Sequence, residues 1–257
     1  MDLELQEKVA LVTAASSGIG RAAALRLAQE GARVIVVGRD AGKLEATAAA
    51  GTNISAMKLD LSAGEAHELV PRVIAEHGRL DIAVLNTGGP AIQPFVDTTL
   101  AQWDAAYESM FRPVVSIARH AAQHMAERGS GAILFLTSTW TKQPAPGSCL
   151  SVSMRAGLGA LAKLMALELA PRGVRVNQLM PGATATARME ALLEDRVRKN
   201  QAGREAELRK SYADIPLGRW ARPEETADAI AFLVSARASF ITGQTLAVDG
   251  GSIKSTT

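Results

Sequence analysis

The chain has 257 residues, 47% hydrophobic and 21% charged, with a formal net charge of +2. That length suits one large α/β domain, which buries roughly three quarters of its unfolded surface and needs no staples. So small a charge gives no footing for nucleic acid or an anionic membrane. The lone cysteine, Cys149, excludes an internal disulfide, and no flanking His marks it as a nucleophile. The N-terminal MDLELQEK lacks the apolar run of a signal peptide, and no stretch reaches the ~18 apolar residues of a membrane span. A cytoplasmic protein is expected.

The first apolar run, Val9 to Thr13, reads as a strand, and a helix follows over Gly20–Glu30. Strands are then predicted at Arg33–Val37, Ser55–Leu59, Asp81–Leu85, Ala132–Thr137, Arg175–Leu179 and Thr245–Val248. Helices are predicted between them at Gly42–Ala50, Ala63–Glu76, Leu100–Arg128, Ser151–Ala170 and Pro223–Val234. Several of the strands are apolar on both parities, as strands covered on both faces should be. Repeated strand–helix alternation predicts a Rossmann-type, doubly wound parallel sheet of about seven strands in a single domain over residues 1–257. The charged segment at about 183–215 breaks this rhythm and predicts a lid-like insertion at a strand's C-terminal end. Pro113 predicts a bend near Met110, because its ring clashes with the Ser109 carbonyl.

The turn Thr13-Ala-Ala-Ser16-Ser17-Gly18-Ile19-Gly20 lies between the first strand and the first helix. Its glycines let the backbone approach a pyrophosphate, whose charge meets the helix N-terminus. After the second strand comes Gly38-Arg39, where an acid would bind the ribose hydroxyls of NAD. Arg39 instead offers a guanidinium to a 2′-phosphate, which favours NADP. The alternative is that Arg39 is a solvated loop residue.

Further marks follow in order: Asp60-Leu61, Asn86-Thr-Gly88, Ser138 after the fifth strand, and Pro181-Gly182 with Thr186. Pro216-Leu-Gly-Arg219, Ile241-Thr-Gly-Gln244 and Val248-Asp-Gly-Gly251 complete the set. Together, over residues ~6–252, the chain resembles the short-chain dehydrogenase/reductase family, in particular its 3-oxoacyl carrier-protein reductases. The resemblance implies that Asp60 and Leu61 contact the adenine, that Asn86 and Gly88 line the adenosine side, and that Pro181, Gly182 and Thr186 cover the nicotinamide amide. It also implies a small carbonyl or acyl substrate and a homotetramer. The helices Leu100–Arg128 and Ser151–Ala170, with Leu158, Leu161, Leu164 and Leu167, would form the interface.

Four catalytic positions follow from the same resemblance. The serine is present as Ser138. Ser151 stands where the family has its proton-transferring tyrosine, Arg155 where it has the lysine that holds the ribose, and Met110 where it has an asparagine. Ala14 replaces a glycine of the first turn. Arg155 is expected to keep its charge and to hydrogen-bond the ribose hydroxyls, but not to relay a proton. Ser151 is too weak an acid and too short to replace a phenol. Tyr107, expected on the helix face of Met110, Tyr212 and Lys142 are candidate substitutes, with packing or solvation as the plainer role of each. His120 and His124 share a helix face but have no third ligand, so no metal is expected. Two readings stay open: an NADP-dependent carbonyl reductase with an altered proton donor, and an NADP-binding regulatory or structural subunit without catalysis.

Overall fold

The computed structural model describes residues 1–256. Seven parallel strands form one sheet in the order β3-β2-β1-β4-β5-β6-β7. They are β1 Val9–Thr13, β2 Arg33–Gly38, β3 Ile54–Lys58, β4 Ile82–Leu85, β5 Gly131–Leu136, β6 Val174–Pro181 and β7 Thr245–Val248. The nine α-helices of the described residues are α1 Gly18–Gln29, α2 Ala41–Ala49, α3 Ala66–His77, α4 Leu100–Ala106, α5 Arg112–Arg128, α6 Cys149–Leu169, α7 Ala187–Asn200, α8 Arg204–Tyr212 and α9 Pro223–Val234. The Rossmann-type sheet expected from strand–helix alternation is therefore present.

Side chains alternate across the sheet with a period of two. Leu11, Ile35, Leu85, Ile133 and Phe135 face one side and pack with α3, α5 and α6 through Leu69, Ile117, Met125 and Leu158. Val12, Val34, Val36, Val84 and Leu134 face the other, against Ala23 and Leu27 of α1 and Ile230 of α9. Burial on both faces explains why these strands read as unbroken apolar runs.

The sheet order reverses between β1 and β4, which opens a crevice at their C-terminal ends. Thr13 fixes its floor. Its hydroxyl accepts from the Asn86 N–H at 2.8 Å and donates to the Asn86 carbonyl at 2.6 Å, tying the ends of β1 and β4 together.

Three expectations need correction. The segment Leu100–Arg128 is not one helix: α4 and α5 are separated by a π-turn at Tyr107–Phe111, where the Arg112 N–H reaches back to the Tyr107 carbonyl. Pro113 in the first turn of α5 accounts for a break here. The wider turn also separates Tyr107 from Met110, which are not on a common face. Met110 is buried and Tyr107 is 43% exposed, stacked on Phe111.

The third correction concerns α6. Its helix opens at Cys149 rather than Ser151, and Cys149–Arg172 is long and apolar enough to cross a membrane by length and composition alone, although no unbroken run reaches that length. In the fold its Leu158, Ala162 and Ala166 cover the sheet, whereas Leu164 and Leu167 are exposed. The charged insertion forms two helices, α7 and α8, with their own small core of Leu193, Ile215 and Trp220. Tyr212 packs there, edge-on to Trp220, so its plainer role holds.

Candidate active site

A cleft of about 1010 Å³ runs along the C-terminal ends of β1, β2, β4, β5 and β6. Of the residues singled out in the sequence, Ser16, Ser17, Gly18, Ile19, Arg39, Asp60, Leu61, Asn86, Gly88, Met110, Ser138, Ser151, Arg155, Pro181, Gly182 and Thr186 line it. Thr13 and Gly20 lie behind the wall. Thr13 is the buried tie already described, and a Cβ on Gly20 would come within 2.4 Å of the Ala14 carbonyl oxygen. Gly20 is thus required for the close packing of α1 on the turn. Lys142 is exposed and Cys149 half-buried, and neither lines the cleft. His124 accepts from the Leu80 N–H at 3.2 Å, and no cluster of metal-ligating side chains exists among the described residues.

At the outer end, α1 points its N-terminus into the cleft. Its N-cap, Ser17, makes no side-chain capping bond, so the first-turn N–H groups are left for an anion. The turn is held by Ala14 in a left-handed conformation, φ 48°. A β-carbon there is strained, because such backbone favours glycine. Thr186, at the N-cap of α7, closes over this turn; a Cβ on Gly18 would meet its methyl at 3.1 Å.

Arg39 and Lys43 line the cleft with Ser16 and Asp60 at its end beyond β2 and β3. The Ser62 hydroxyl holds the Asp60 carboxyl below the usual carboxylate range, with a smaller contribution from the Arg39 charge. Asp40 accepts from the Lys43 N–H at 3.1 Å and pairs with its ammonium at 3.3 Å, so it serves as the cap of α2. Lys43 was not read from the sequence as part of a site. Its position one turn beyond Arg39 in α2 was the available signal.

The inner end holds Ser138, Ser151, Arg155 and Met110. Ser138 lies two residues beyond β5, and its Oγ accepts from the Trp140 N–H at 3.2 Å. Arg155 is buried in α6 with all five N–H groups engaged. Nε donates to Ser151 Oγ at 3.2 Å. Nη1 donates to the Leu136 and Thr137 carbonyls at 3.0 and 3.1 Å, and Nη2 to those of Thr87 and Gly88 at 3.4 and 3.1 Å. The side chain therefore staples the ends of β4 and β5 to α6. The ribose bonds expected of it would have to displace one of these, because no donor is free. Burial, and then the charge of Arg188, push its pKa down to about 10, so it is still cationic at neutral pH.

Sequence reading missed Arg188, on the first turn of α7. It crosses the cleft and donates to the carbonyls of Gly89 and Pro90 at 2.9 and 2.8 Å. The residue is exposed by surface area, yet its guanidinium is enclosed enough that burial lowers its pKa. The inner cleft contains no tyrosine, histidine or lysine among the described residues.

Comparison with known proteins agrees with the fold. The family model described as enoyl-(acyl carrier protein) reductase matches residues 13–252. The chain is 36% identical over 257 aligned positions to dehydrogenase/reductase SDR family member 4 of Sus scrofa, covering 96% of this chain and 88% of that one. It is 32% identical to the 3-oxoacyl-[acyl-carrier-protein] reductase FabG of Thermotoga maritima, covering 97% and 99%. L-sorbose reductase from Gluconobacter frateurii, solved with NADPH and L-sorbose, superposes with a TM-score of 0.93 at 29% identity, covering 99% and 100%. The chain belongs to the short-chain dehydrogenase/reductase family.

Proposed function

We propose that the protein is an NADP-dependent short-chain oxidoreductase that reduces a carbonyl to an alcohol with a non-standard proton-donating site. The observation that carries this reading is one continuous cleft. It joins the uncapped N-terminus of α1 and the Arg39–Lys43 cations at one end to Ser138 at the other. Relatives solved with NADPH, such as L-sorbose reductase, support the choice of cofactor.

The cofactor would supply the hydride. Gly18, Ile19 and the free first-turn N–H groups would hold its pyrophosphate, with Thr186 above them. Arg39 and Lys43 would face a 2′-phosphate, and Asp60, Leu61, Asn86 and Gly88 would line the adenosine side. Pro181 and Gly182 would border the nicotinamide. Ser138 would hold the substrate oxygen. Arg155 only donates to Ser151 Oγ, which leaves the Ser151 proton free to point into the cleft at the same oxygen. Such a hydroxyl can stabilise developing negative charge, but the proton that completes the alcohol must come from water. Loss of a positioned general acid costs ~10²–10⁴ in rate, so turnover is expected to be slow.

One feature favours the second reading, a non-catalytic NADP-binding subunit. The Arg155 staple consumes every donor of the residue at the family's lysine position, and the inner cleft offers no group that titrates near neutrality. NADPH binding and NADPH oxidation over a carbonyl panel separate the two. Binding with turnover supports the reductase; binding without it supports the subunit. A homotetramer is part of this proposal, supported by exposed Leu164 and Leu167 on α6 and Tyr107 beside α5. Light scattering at micromolar concentration tests it, and a monomer would refute it.

A further inference from the structure

The inner cleft carries two guanidiniums and no acid. Among the described residues, neither Arg155 nor Arg188 takes part in an ion pair with a carboxylate. Among the described residues the only acids lining the cleft, Asp40 and Asp60, lie at its far end, with Arg39. Two like charges facing one cleft, with only neutral carbonyls and one hydroxyl as partners, leave a positive potential that an anion would relieve.

We propose that the inner cleft is an anion site and that the substrate carries a carboxylate or comparable acidic group, met by Arg188. This inference rests on the reductase reading of the cleft. Arg188 spends two of its five N–H groups on Gly89 and Pro90, which leaves three for a ligand. Arg155 has none left, so it acts through its charge.

The competing anion is the cofactor's own pyrophosphate. Two features place Arg188 with the substrate instead. The first turn of α1 already presents uncapped N–H groups to a pyrophosphate. The loop that Arg188 grips is tied to the segment between Ser138 and Ser151, where the Gln93 N–H donates to the Gly147 carbonyl at 3.0 Å. A guanidinium presents a flat fork that suits a planar carboxylate.

The test uses matched probes: benzoylformate, pyruvate and 4-oxopentanoate, each beside its neutral primary amide. Dissociation constants are measured by ligand-observed NMR on the parent protein and on Arg188→Gln, with and without saturating NADPH. The NADPH dissociation constant is measured in parallel. Arg188 is on an exposed first helical turn, so the variant should fold, and Arg188→Lys keeps the charge as a control. At least one carboxylate should bind roughly ten-fold or more tightly than its amide. That advantage should fall to within about two-fold in Arg188→Gln and partly return in Arg188→Lys, while NADPH affinity changes little.

Equal binding of acid and amide by the parent, or no binding of any carboxylate, overturns the proposal. A large loss of NADPH affinity in Arg188→Gln, with the acid-to-amide ratio unchanged, assigns the arginine to the pyrophosphate and overturns it too. Preferential carboxylate binding with no NADPH oxidation keeps the anion site and rejects the reductase reading, so the two failures are distinct.

Discussion

The Nε–H of Arg155 donates to the Ser151 hydroxyl over 3.2 Å, one helical turn apart in α6. The residues that the sequence resemblance assigns to the family's tyrosine and lysine positions are therefore bonded to each other. The other four N–H groups of Arg155 hold carbonyls at the ends of β4 and β5. This arginine has a structural task that a lysine, with one nitrogen, cannot perform in full. Arg155→Ala should cost about 3 kcal/mol, because it strands buried acceptors and opens a void, and Arg155→Lys about 2 kcal/mol. Urea denaturation measures both. A loss under about 1 kcal/mol for Arg155→Ala would show that the staple is idle.

The same pairing governs any attempt to restore proton transfer. In Ser151→Tyr alone, the phenol must pass the Arg155 guanidinium, so the gain in NADPH oxidation should be small. The double change Ser151→Tyr, Arg155→Lys removes that obstacle and supplies an ammonium that draws the phenol pKa towards neutrality. Initial rates with an acetoacetyl thioester should rise about 10²-fold, the low end for a positioned general acid. A folded, NADPH-binding double variant with no gain would support the non-catalytic reading.

Ala14 sits at φ 48° in the phosphate-side turn. Glycine adopts this conformation without steric cost, whereas an L-residue there loses roughly 1–2 kcal/mol. Some of that gain is offset by the greater unfolded-state entropy of glycine. Ala14→Gly should thus stabilise the protein by about 0.5–1 kcal/mol, seen as a higher urea midpoint with an unchanged slope. A lower midpoint would mean that the turn does not store this strain.

Cofactor choice should depend on Arg39 and on Lys43 beside it. Parent protein should bind NADPH at least ten-fold more tightly than NADH, and Arg39→Ala should lose most of that preference. Lys43→Ala should lose part of it, although this change also removes the ion pair with Asp40. Fluorescence titration with both cofactors gives the ratios. Equal affinities in the parent protein would remove the argument for NADP.

Glu225 supplies an acid-limb test. Its carboxylate accepts from both Nη groups of Arg219 at 2.7 Å and from the Arg222 N–H at 2.8 Å, in the first turn of α9. The Arg219 bonds, and then that backbone bond, hold its pKa down at about 2, against an ordinary 4.5. The unfolded state therefore binds more protons between these values. The stabilisation is complete above about 4.5 and is lost as pH falls towards 2. Glu225→Gln should flatten this part of the stability–pH curve. A variant whose curve is as steep as the parent's over that window would rule out this assignment.

The strands, their order along the chain and the glycine-containing turn after β1 were legible in the sequence because each rests on local pattern. Val9–Val12 and Val34–Val37 are apolar at every position, and Gly18 and Gly20 follow within seven residues of the end of β1. The helix break was foreseeable at Pro113, a local steric effect, but its form was not. The π-turn places Met110 inside and Tyr107 outside, contrary to simple helical spacing.

The inner cleft was decided by tertiary structure. The sequence identifies Ser151 and Arg155 as departures from a pattern, yet it cannot say where the arginine's donors go. They go to carbonyls 18, 19, 67 and 68 residues away along the chain, which only the packing of α6 across β4 and β5 brings within reach. Arg188 was passed over for the same reason. In sequence it is one charge in a mixed, solvated-looking helix, and only the placement of α7 over the cleft turns it onto Gly89 and Pro90. Backbone carbonyls as partners leave no signature in a sequence, because every residue carries one.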